Sequence, residues 1–195
     1  SGGAAPLEVR RPVGNLDRTM IHWMLACQPE SPSSTDTGHA YVTEACAACG
    51  GECLETTGGP TSGSHVEGAI DYSEAPPLGG DHNACWASWG VHTEPVAAEN
   101  WVHNLEHGGV VVLADCRSAG CPHEWDSLSA WVNSLPEGRA LLSTYEGALQ
   151  PYSLVSWGHR LELGCVDLLV VQAFYDEHVG RGPEEVTSEP AAACM

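Results

Sequence analysis

Gly109-Val110-Val111-Val112-Leu113 is the stretch whose reading decides the fold. It is short, apolar throughout and rich in β-branched side chains, which describes a buried strand. Downstream, Trp125, Leu128, Trp131, Val132 and Leu135 recur at helical spacing between Pro122 and Leu135, and Pro136 closes that segment. Ala140–Tyr145 and Leu154–Leu163 read as strands separated by the turn-rich residues Glu146–Pro151. Asp167–Val179 reads as a helix ended by Gly180. The order strand, helix, strand, strand, helix gives an α+β class. The expectation is an antiparallel sheet with helices on one face, in a ferredoxin-like split unit.

Upstream the composition changes. Residues 1–60 form a loop-rich arm and residues 61–195 the main α+β domain. Gln28–Gly38 and Gly58–Ser64 are loops by composition, and Cys46, Cys49 and Cys53 lie between them with Cys27 further upstream. The arm has one apolar patch, Met20, Ile21, Trp23, Met24 and Leu25, too little for a core of its own. It is expected to wrap the main domain, stapled by disulfides among the four cysteines; four thiolates on a metal are the alternative. Cys116 and Cys121 suit a local disulfide before the first predicted helix.

Charge removes whole classes of function. Among 195 residues, 7 basic side chains, all Arg, face 26 acidic ones, for a net charge of −19. Such a surface repels phosphate backbones and anionic lipid, so the expectation is no nucleic acid, while cations are attracted. No apolar run reaches membrane-spanning length, so no membrane insertion is expected, and the partner is a metal ion, with a protein partner or oligomer compatible. Nine Cys suit an exported chain, secreted, periplasmic or at the cell surface, and the opening Ser1-Gly2-Gly3 reads as processed.

Ten His are present, and His65, His82, His92, His103 and His107 crowd the middle of the chain. In the pentad His103-Asn104-Leu105-Glu106-His107, the i, i+4 spacing puts both imidazoles on one face of a helical turn. In an extended chain they would stand about 13 Å apart. The pentad also fits H-x-x-E-H, the inverted zinc-peptidase motif with Glu as general base, but that motif needs a long helix, and Gly108-Gly109 and the strand follow at once. Trp86, Trp89 and Trp101 flank the cluster, as core or as walls of a site.

The run from Tyr72 through Pro76-Pro77-Leu78-Gly79-Gly80-Asp81-His82, Trp89-Gly90-Val91-His92 and Val102-His103-Asn104-Leu105-Glu106-His107-Gly108 resembles a bacterial family catalogued as domain of unknown function 3105. Ser156-Trp157-Gly158, Phe174-Tyr175, Gly182-Pro183-Glu184 and Cys194 continue the resemblance, which spans roughly residues 65 to 194. Its members look exported or membrane-tethered. Gly79, Asp81 and His92 depart from the family's pattern, which has Ser, Pro and Tyr there.

By that pattern His65, His82, His103, Glu106 and His107 are the residues to watch. Three or four imidazoles with a carboxylate suit zinc or copper(II). Copper(I) carriage recruits thioethers, and the only Met are Met20, Met24 and Met195. A free Cys85 near His82 would add a thiolate. The expected function is an exported metal-binding protein whose His65, His82, His103 and His107 hold copper or zinc. The alternatives are a metal-dependent hydrolase with Glu106 as catalytic base and a metal-free interaction module. An open coordination position facing a cleft would mark the hydrolase. His103 and His107 directed to opposite faces, each bonded to backbone, would mark the module.

Overall fold

The computed structural model describes residues 53–115, 122–135 and 139–184. Its elements are β1 (Cys53–Thr57), β2 (Gly90–Val91), α1 (Ala98–Glu106), β3 (Val110–Ala114), α2 (Pro122–Ser134), β4 (Ala140–Thr144), β5 (Tyr152–Ser156), β6 (His159–Leu163) and α3 (Leu168–His178). The six strands form one sheet in the order β1-β6-β5-β3-β4-β2. The class is α+β, as expected. No helix among the described residues is long and apolar enough to cross a membrane.

Three details of the expected architecture are corrected. The sheet is mixed: β3 pairs antiparallel with β5, but parallel with β4, which pairs parallel with β2. The cause is α2, which carries the chain back so that β4 runs in the direction of β3. Those two strands are immediate neighbours, whereas a ferredoxin-like split unit holds another strand between them. Helices also cover both faces. Val110, Val112 and Ala114 cluster with Leu128, Trp131 and Val132 of α2 and with Val170, Val171, Phe174 and Tyr175 of α3. Val111 and Leu113 cluster instead with Trp101, Val102 and Leu105 of α1. A strand buried on both sides needs no polar alternation, which is why Val110–Ala114 is apolar throughout.

The stretch 154–163 is two strands rather than one. The chain reverses at Trp157-Gly158, with Gly158 at φ +77°, and Ser156 pairs with His159 across the turn. Cys53–Thr57, placed by composition in the arm, is edge strand β1, paired with β6 from Cys53↔Leu163 to Thr57↔His159. Residues 1–52 of the arm, with the staples proposed for Cys27, Cys46 and Cys49, lie outside the described residues, as does the Cys116–Cys121 pair.

Between β1 and α1 the chain crosses the α1 face largely as loop, and Leu78, Ala87 and Val96 are buried there. Arg160 of β6 holds this crossing to the sheet: Nη1 donates to the Pro76 carbonyl, and Nε lies 3.5 Å from Glu162 Oε2. The indole of Trp157 donates to the Pro60 carbonyl and lies over Gly79, where a Cβ would stand 2.9 Å from the ring. With φ +141° as well, that position suits glycine.

Candidate metal centre

α1 has nine residues, and its apolar stripe of Trp101, Val102 and Leu105 faces the sheet. The remaining face carries Asn100, His103, Asn104 and Glu106, all buried although polar. Burial of this kind requires partners. Asn104 clasps the backbone of Ala87, accepting from its N–H at 3.0 Å and donating to its carbonyl at 2.9 Å. Asn100 donates to the Cys85 carbonyl, and the Asn83 N–H donates to the Glu99 carbonyl. These bonds dock residues 83–87 along the helix and lay Trp86 against the rings of His103 and His107.

His65 and His82 arrive on two loops joined by a parallel bridge. Val66 N–H donates to the His82 carbonyl at 2.8 Å, and His82 N–H donates to that of Ser64 at 3.1 Å. Asp81 Oδ1 accepts from Ser64 N–H, and the Tyr72 hydroxyl donates to the Asp81 carbonyl. Burial first, then the carboxylates of Glu99 and Asp81, raises the Tyr72 phenol, so it remains a protonated donor. Asp81 thus places its neighbours.

Ring tautomers follow from what the Nδ1 atoms meet. His82 Nδ1 lies 2.8 Å from the Gly80 carbonyl, His103 Nδ1 2.8 Å from that of Asn83, and His107 Nδ1 3.2 Å from that of Glu184. A carbonyl only accepts, so each Nδ1 carries the hydrogen, and a ring with that single hydrogen presents a bare lone pair at Nε2. The Nε2 atoms of His103 and His107 face one another at 2.8 Å. His82 Nε2, on a fully buried ring, lies 3.0 Å from Glu106 Oε2 but lacks hydrogen-bonding alignment. Acceptors set against acceptors call for a shared proton or a metal ion. Burial, with the neighbouring rings of His82, His107 and His65 adding to it, lowers His103 to a pKa of about 4 despite its bond to the Asn83 carbonyl. Near neutral pH His103 is therefore an available ligand.

His65, His82, His103 and Glu106 offer donor atoms that all lie within 4.8 Å of one another, a group that could hold a metal ion. His65 is exposed and the other three are buried, so the group meets solvent at His65. A second group under the same limit consists of Glu106, His107 and Glu184. Of the four expected His ligands, three share the first group and His107 falls in the second. His103 and His107 do lie on one side of the helical turn, not on opposite faces. His92 is directed elsewhere, with Nε2 2.8 Å from the Ser88 carbonyl. Cys85 is disulfide-bonded and supplies no thiolate.

The same residues carry the comparison with known proteins. Residues 65–194 match the model of DUF3105, described as a protein of unknown function. The chain belongs to this family. No curated protein and no solved structure matches it. In this DUF3105 chain the matched span contains every donor of both groups. Sequence reasoning missed Glu184, although Gly182-Pro183-Glu184 stood out as a motif. It also missed Asn100 and Asn104, whose signal was an amide pair at i, i+4 on the same helix.

Proposed function

We propose that this DUF3105 chain is an exported protein that binds one zinc or copper ion through His65, His82, His103 and Glu106. The observation that carries the reading is the convergence of bare ring nitrogens whose Nδ1–H groups are already committed to backbone carbonyls. Such carbonyl partners are what orient imidazole ligands at metal sites. An ion there would relieve the set of facing acceptors, draw charge from the Glu106 carboxylate, and be concentrated by the acidic surface. Three imidazoles and a carboxylate, without thiolate, favour zinc(II) or copper(II) over copper(I). Disulfide bonds at Cys53, Cys85 and Cys165 support an oxidising compartment, hence export. The hydrolase reading needs Glu106 free as a base, and its place within the ligand group and against His82 favours a ligand instead.

The test is calorimetric titration of untagged protein stripped with a chelator. We expect binding of zinc(II) or copper(II) tighter than about 1 μM. Weaker binding of both ions would overturn the reading.

A further inference from the structure

The donors form two overlapping sets rather than one. Glu106 belongs to both, while His65, His82 and His103 belong only to the first and His107 and Glu184 only to the second. The tail that brings Glu184 is fixed against the end of α1 backbone to backbone. Gly180 N–H donates to the Gly108 carbonyl at 2.8 Å, and Glu184 N–H donates to the Glu106 carbonyl at 3.0 Å. A Cβ on Gly182 would collide with the Glu106 carbonyl oxygen, so only glycine allows this approach. The Glu184 carbonyl takes the Nδ1–H of His107 and so fixes that ring with Nε2 bare.

We infer that the centre holds two divalent cations, the second bound by His107 and Glu184, with Glu106 bridging it to the first. The inference rests on the one-ion reading above and extends it. One ion on the first group leaves the His107 Nε2 lone pair 2.8 Å from a ligand nitrogen; a second ion gives each ring its own cation. The buried Glu106, faced by the fully buried and unaligned His82 Nε2, is placed to bridge. Carboxylate-bridged pairs of this type stand about 3.5–4 Å apart. With one imidazole and two carboxylates, the second position is richer in oxygen than the first and suits zinc(II) or manganese(II) better than copper. Glu184 is exposed, so this position, like the first at His65, meets solvent.

The test uses the untagged full chain, equilibrated with excess zinc(II), dialysed, and assayed for bound metal by mass spectrometry. The wild type should retain two equivalents, and Glu184→Ala, an exposed substitution that spares the first group, should retain one. One equivalent in both proteins would overturn the second cation and leave the one-ion reading standing. Two equivalents in both would place the second ion elsewhere and overturn the inference. None in either would overturn both readings.

Discussion

His103→Ala should lower the affinity for zinc(II) or copper(II) by at least about 100-fold, because loss of a mere orienting partner already costs 10- to 100-fold. His103 is the hub of the cluster: its ring centroid lies 4.8 Å from that of His65 and 4.7 Å from those of His82 and His107. Without it no nitrogen bridges the loop-borne rings and the helix. The metal-free protein should fold, since Asn100 and Asn104 still clamp residues 83–87 to α1. The readout is the thermal midpoint with and without metal. At a metal concentration of 100 Kd the wild type gains about 2.7 kcal/mol, a rise of roughly 5–10 °C for a chain of this size. The variant should gain almost nothing at the same concentration. An equal rise in both proteins would remove His103 from the site.

Acid should destabilise the metal-free fold across a defined window. Burial first, then neighbouring charge, lowers two rings to a pKa of about 4: His103 in the cluster and His178 at the end of α3, where it stacks on His159 and Phe174. Unfolded, both titrate near about 6.5. Above that value both are neutral in either state, so their contribution is intact. Between about 6.5 and 4 the unfolded chain binds protons that the folded chain refuses, and stability falls with pH. Each ring forfeits on the order of 3 kcal/mol by the lower end. Urea midpoints in chelator at pH 7.5, 6.5, 5.5 and 4.5 should therefore be level at first and then drop steeply. His178→Phe, similar in size and unable to titrate, should reduce the drop by about half. A flat profile down to pH 4.5 would contradict the burial of both rings as neutral groups.

Much of the central architecture was legible locally. Val110–Ala114, α2 and α3 announce themselves through β-branching, 3.6-residue spacing, Pro136, and the Asp167 cap that accepts from Leu169 N–H. Strand partners were not legible, because pairing is a relation between distant segments. β1 meets β6 more than a hundred residues away, and its mostly exposed side chains in a Gly- and Cys-rich context look like loop. The parallel pairing of β3 and β4 could have been read from the helix between them, but the two apparent strands that follow suggest an antiparallel meander. In the site, the i, i+4 spacing of His103 and His107 carried direct geometric information and proved helical. The bridge between His65 and His82 joins two loops and leaves no periodic trace. Glu184 joins only because Gly108 and Gly182 admit backbone contact between the tail and the end of α1, a fact of tertiary packing.

The most direct measurement of the central claim is anomalous scattering from a crystal of the full chain soaked in zinc(II), with data collected on both sides of the zinc edge. The account predicts an edge-dependent peak at coordinating distance from the ring nitrogens of His65, His82 and His103 and from a carboxylate oxygen of Glu106. Zinc bound only at other residues, with His82 Nε2 and the facing His103 and His107 nitrogens still free of metal, would contradict it.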